Sequence, residues 1–270
     1  MTISAVLILY GITSLGFIVY LFLRKEALQM PLRILFISCT AFHLLFVLTL
    51  WYQNGQLPME SPAQAVNMLV LFSSLAFIPI ALRKKTAVLA AFFLPIASFA
   101  LGSIAPLVQP GVDLLSGSYQ YWYPLHTLSV IAGEALFVVA STTSVVYLIH
   151  ERIIRKGSIH SAMSALPPLT LLDSILYTSL ALGFFAISVG MILGGLWASA
   201  LGLSFRSIAP KVLAGALMWL VFGLSLHQRF AIGWKGRRTA IITLIGFVVM
   251  VLLFIGINLA FPDSHGIRLI

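Results

Sequence analysis

Eight runs of about 20 predominantly apolar residues, each closed by a short polar or basic segment, constrain this chain more than any other feature. Inside hydrocarbon every backbone N–H and C=O must be satisfied within the protein, and a single apolar run manages that only as a helix. The runs predict helices over about 2–23, 32–52, 64–82, 86–106, 124–149, 171–198, 209–229 and 239–261. The expected fold is therefore all-α: a polytopic membrane protein with eight transmembrane helices, forming one integral membrane domain over 1–270. Composition agrees, since only 9% of the residues are charged, against roughly 25% in soluble domains.

The net charge of +9 is not the footprint of a nucleic-acid binder, because the basic residues sit between the apolar runs. Thirteen of the 16 fall in the segments that follow odd-numbered spans, at 24–33, 83–85, 152–156 and 229–238. Only Arg206, Lys211 and Arg268 fall on the opposite side. The positive-inside rule then makes the first side cytoplasmic and puts both termini outside, in a multi-pass protein of the cell membrane. Trp51, Tyr52, Tyr121, Trp122 and Tyr123 at outer span edges, and Trp234 at an inner one, read as the aromatic belt. The first run lacks a basic leader and a small-residue cleavage site, so it reads as a retained span rather than a signal peptide. Gly190 and Gly194 form a G-x-x-x-G in the sixth run, a pattern that lets helices pack closely.

Cys39 is the only cysteine. That excludes an intrachain disulfide, a thiolate cluster and a C-x-x-C-H for covalent haem attachment. No Ser–His–Asp set, Walker loop or dinucleotide fingerprint is present. The chemistry left is that of polar rings and a few charges in or near spans. His126 opens the fifth run and His265 follows the eighth, so both are expected in the outer interfacial layer. Two imidazoles on one membrane face can ligate haem iron from both sides; water and headgroups are the alternative partners. His43 lies about 12 Å below the outer edge of the second run, and His227 near the inner end of the seventh. Pairing these two needs a tilt or kink, because their expected depths differ. His150 and His160 sit among inner-side charges and read as solvated.

Glu134 is the one acid deep in a run. A carboxylate there is costly, so it is expected to be protonated or paired inside the bundle, on a polar path with His43 and His227 or in a helix–helix hydrogen bond. Arg206 and Lys211, in the expected outer loop, either face solvent or fork onto haem propionates.

At these residues the chain resembles the cytochrome c assembly protein family, haem-handling membrane proteins with a tryptophan-rich W-W-D loop. The resemblance rests on YPLHTLSVIAGEALFVVASTTSVVYLIHER, on FRSIAPKVLAGALMWLVFGLSLHQRFAIGWKGRR with its L-H-x-R and G-W-x-G-R-R, and on FIGINLAFPDSHG. TAFHLLFVLTL resembles the eight-span, HemX-like branch. The resemblance implies that His126 and His265 match the family's external haem-ligating pair, and that His227 matches an intramembrane histidine. It also implies non-covalent haem b as the bound group. His43 matches a histidine of the HemX-like branch only.

One stretch departs from the pattern. Where the family has its W-W-D loop, this chain reads Arg206 to Val212, with both tryptophans and the aspartate missing, although Trp197 and Trp219 flank it. The expected function is haem binding and relay in cytochrome c maturation or haem metabolism, without unaided covalent attachment. The expected partners are haem, the bilayer and a cytochrome c maturation protein. Two other classes stay open: a HemX-like regulator of glutamyl-tRNA reductase level, and a small-solute transporter using Glu134.

Overall fold

Each apolar run folds as a helix in the structure, a computed structural model that describes residues 2–23, 25–59, 61–83, 85–108, 122–157 and 166–260. The helices are α1 (Ile3–Leu23), α2 (Gln29–Asn54), α3 (Pro62–Ala81), α4 (Val88–Ile104), α5 (Trp122–Arg155), α6 (Leu169–Ala200), α7 (Phe205–Ala231) and α8 (Arg237–Ala260). A short 3-10 turn over Glu26–Leu28 precedes α2, and no strand occurs among the described residues. Among the described residues, seven helices are long and apolar enough to cross a membrane. The exception is α4, whose 17 residues rise about 26 Å, because residues 86 and 87 belong to the turn before it. At 34 and 32 residues, α5 and α6 rise about 50 Å, beyond the roughly 30 Å hydrocarbon layer.

Local chemistry sets the helix ends. Ser61 caps α3 by accepting from Gln64 N–H, while the Gln64 side chain accepts from Ser61 N–H, and Pro62 opens the helix where no N–H is needed. Gly55 ends α2 in the left-handed region, at φ 72°.

Packing inverts the soluble pattern. Large apolar side chains point outward, among them Leu15, Phe22, Phe99, Phe185 and Leu259, while Thr13, Thr40, His43, Asn67 and Ser74 are buried. Buried hydroxyls are met largely by their own helices: Thr13, Thr40, Ser74, Thr143 and Ser144 each reach the carbonyl four residues back. This is the arrangement a bilayer rewards, since polar groups gain from one another and the outer surface meets lipid.

α5 is the shared wall of two apolar cores. One joins α1 to α4 with α5, and includes Phe77 stacked on Phe93 at 4.4 Å between centroids. The other joins α5 to α8, with Phe137 stacked on Phe222. The seam between α5 and α6 is close along its length. Cβ atoms added at Gly133, Gly183, Gly190 or Gly194 would all collide across it. The G-x-x-x-G of α6 therefore serves close helix packing, as its spacing predicts.

Candidate functional site

At the end of the bundle that carries Trp51 and Trp122, α6 holds His126 in a fixed orientation. His126 lies one turn into α5 and is half-buried. Its Nδ1 is 2.7 Å from the carbonyl oxygen of Gly190. A carbonyl can only accept, so Nδ1 carries the proton and Nε2 keeps its lone pair. The ring lies nearly parallel to Trp197, at 22° and 6.2 Å between centroids. Tyr123 tilts against Trp197, at 5.1 Å between centroids, and its hydroxyl donates to the Met59 carbonyl at 2.6 Å. A neutral imidazole with Nδ1–H on a backbone carbonyl is how proteins commonly present Nε2 to a metal. The donor set thus fits haem iron as one axial ligand, with Trp197 beside it as an apolar wall.

The structure does not bring the other candidates to this place. His265 and His160 lie outside the described residues. His43 is fully buried between α1, α2 and α3, and both its ring nitrogens are engaged. Nε2 is 3.1 Å from Asn67 Oδ1 and Nδ1 is 3.1 Å from the Tyr10 hydroxyl, which lies 2.6 Å from Ser74 Oγ. Both ring nitrogens are thus taken up by side chains of the α1–α3 core. His227 is exposed on α7, facing away from the bundle interior in which it was expected. The expected pairing of His43 with His227 is therefore not formed, and neither is a polar path linking them to Glu134. Glu134 is half-buried midway along α5, with no hydrogen bond or ion pair formed among the described residues. His150, expected in solvent, is buried on α5, and its Nδ1 has no partner among the described residues.

The outer loop expected over 198–208 is shorter in the structure. α6 continues to Ala200 and α7 begins at Phe205, so Arg206 to Val212 form the first turns of a helix. Arg206 is exposed there and Lys211 half-buried. Pro210 sits inside α7, where its missing N–H leaves the carbonyl four residues back without its usual donor. Of the two flanking tryptophans, only Trp197 meets His126. Trp219 turns into the α6–α7 contact, where Nε1 donates to Ser188 Oγ at 2.8 Å and the ring packs on Phe184 at 5.0 Å.

The opposite end of the bundle holds a cluster that sequence reasoning missed. Arg229, at the end of α7, forks onto Asp173 at the start of α6, with bonds of 3.0 and 2.8 Å. Gly236 N–H adds a third bond to the same carboxylate at 2.8 Å, and the guanidinium lies 4.3 Å from the Tyr177 ring centroid. Gly236 has φ 63°, and an added Cβ would strike the Tyr147 hydroxyl. The L-H-x-R and G-W-x-G-R-R segments therefore meet in space, as the two sides of one turn fastened to α6. A signal was available: Asp173 is one of only seven acids, and it sits at the same expected membrane level as Arg229. Nearby, Glu151 takes Arg155 at 2.9 Å and Arg237 at 3.6 Å, which ties α5 to α8.

Fold and site define an all-helical chain with membrane-length helices and an oriented histidine at one end. The profile of the Cytochrome C assembly protein family matches residues 2–262, so the chain belongs to that family. Similar proteins include the cytochrome c biogenesis protein CcsA of Synechococcus sp. (strain WH7803), 29% identical over 252 residues, covering 80% of this chain and 78% of that protein. CcsA of Synechococcus sp. (strain CC9605) is 27% identical over 296 residues, covering 94% and 95%. CcsA of Chlamydomonas reinhardtii is 26% identical over 228 residues, covering 82% and 64%.

Proposed function

We propose that this chain binds and relays haem in cytochrome c biogenesis, with His126 Nε2 as one axial ligand. The observation that carries the reading is the Nδ1–H bond from His126 to the Gly190 carbonyl, which leaves Nε2 ready for iron. His265 is the second ligand in this reading, by its match to the family motif and its place just beyond the eighth run. The haem is b-type and non-covalent, since the lone Cys39 is buried within α2 and cannot form a thioether pair. When bound, haem supplies the iron and the vinyl groups that a maturation partner attaches to an apocytochrome. This chain holds the group, shields one face with Trp197, and offers Arg206 to a propionate at the same end. Without the W-W-D aromatics it does not complete attachment unaided.

The thirteen-to-three basic asymmetry supports a cytoplasmic Arg229–Asp173 end, an extracytoplasmic haem end, and one eight-span domain with both termini outside. The relatives do not support a HemX-like role at glutamyl-tRNA reductase. The transporter reading loses its support with the missing His43–Glu134–His227 path.

The test is an absorption spectrum of the purified full chain with added haemin, for wild type and for His126→Ala and His265→Ala. A low-spin bis-histidine spectrum that is lost or converted in either variant supports the reading. An unaltered spectrum in both variants would assign the haem to other ligands. Co-expression with an apocytochrome c in a host without its own maturation system should yield no covalent product; holocytochrome would make this chain a lyase by itself.

A further inference from the structure

We infer that Gly194 is a positioning residue for His126: its missing side chain is what allows the imidazole to reach the Gly190 carbonyl and keep the Nδ1–H tautomer. The inference rests on the haem-ligand reading of His126, and goes beyond it to the device that orients the ring. Three observations converge. The first is the 2.7 Å bond from Nδ1 to Gly190 O. The second is that a Cβ at Gly194 would lie 2.7 Å from both Cε1 and Nδ1 of His126, and its three nearest atoms would all belong to that ring. The third is Trp197, one turn further along α6, which lies nearly parallel to the same ring, 6.2 Å away between centroids.

Gly190, Gly194 and Trp197 thus form a slot on one helix for a ring carried by another. Gly190 supplies the acceptor, Gly194 the space and Trp197 the wall. A histidine that is merely interfacial can sample several rotamers and both tautomers. Here the Nε2 lone pair is aimed before any ligand arrives, so binding needs neither ring rotation nor tautomer exchange. Hydrogen bonding at Nδ1 also makes the imidazole a stronger donor at Nε2, which favours ferric over ferrous iron.

The glycine pattern supplies its own control. A Cβ at Gly183 intrudes on the same α5–α6 seam, 2.8 Å from Phe137 Cε1 and 3.1 Å from the Gly133 carbonyl. It lies 11 residues from Gly194, about 16 Å along the helix. Because it meets backbone as well as side chain, Gly183→Ala should disturb helix packing at least as much as Gly194→Ala.

The experiment uses the full chain in lipid nanodiscs with 15N-labelled histidine. Nitrogen shifts report the His126 tautomer without haem, with His126→Ala supplying the assignment. A titration with haemin then reports spin state and midpoint potential. Wild type should show a protonated Nδ1. Gly194→Ala should lose that tautomer in the haem-free protein, and should raise the potential or convert the spectrum. Gly183→Ala should keep both. If Gly194→Ala keeps the Nδ1–H tautomer, or if Gly183→Ala loses it equally, the positioning role is overturned. A wild-type haem spectrum indifferent to His126→Ala would instead overturn the ligand reading, even with the tautomer intact.

Discussion

Arg229→Ala should destabilise this protein far more than loss of an ordinary membrane-surface charge. Arg229 and Asp173 form two parallel charge-assisted bonds, their side chains only 12% and 17% exposed, and Gly236 N–H completes the carboxylate's shell. Hydrogen bonds to charged groups contribute about 1.5–3 kcal/mol each, and stranding one member of a buried pair costs about 3–5 kcal/mol. The pair keeps some contact with its surroundings, so about 3 kcal/mol is expected for Arg229→Ala and somewhat less for Asp173→Asn. The informative quantity is the coupling in a double-mutant cycle, expected at about 2 kcal/mol. The internal comparison is Arg155–Glu151, of similar length at 2.9 Å but with Arg155 64% exposed; exposed i,i+4 pairs couple by about 0.3–0.5 kcal/mol. Both cycles can be measured by reversible denaturation in mixed micelles, monitored by tryptophan fluorescence. A clamp coupling no larger than that of the surface pair would refute the argument, because burial would then add nothing to the similar geometry of the two pairs.

Other outcomes follow from the same geometry. His43→Ala should cost about 2–3 kcal/mol, because it leaves a cavity, strands Asn67 Oδ1 and takes one of two partners from the Tyr10 hydroxyl in the α1–α3 core; the haem spectrum of the folded fraction should be unchanged, and a lost spectrum would place His43 at the haem site. Gly236→Ala should destabilise by at least about 1 kcal/mol from the left-handed backbone alone, with Tyr147→Phe relieving part of the additional clash; thermal aggregation midpoints of the single and double variants check this. Reporters fused after Lys156 or Arg238 should report cytoplasm and one after Ser116 the outside, and the reverse pattern would move the His126 end to the cytoplasm.

Much of the architecture was legible because hydrocarbon leaves a chain few options. Runs of about 20 apolar residues must be helices, whatever they pack against, and all eight appear within a few residues of their expected bounds. His126 was legible as a candidate for the same reason: a polar ring at a span edge needs a partner, and the family motif supplied one. What each polar residue touches was not legible. One residue of rotation turns a helix by 100°, so the sequence alone could not say that His227 faces outward while His43 faces the core. Nor could it say that the turns replacing the W-W-D loop would be helical. The partners came from other helices: Gly190 O for His126 is 64 residues away in sequence, and Asp173 for Arg229 is 56. Periodicity determines that these segments are apolar helices, because that depends on each segment's own transfer energy. Only the tertiary packing decided which lone pair stays open, because that depends on which carbonyl, glycine or ring a neighbouring helix brings alongside.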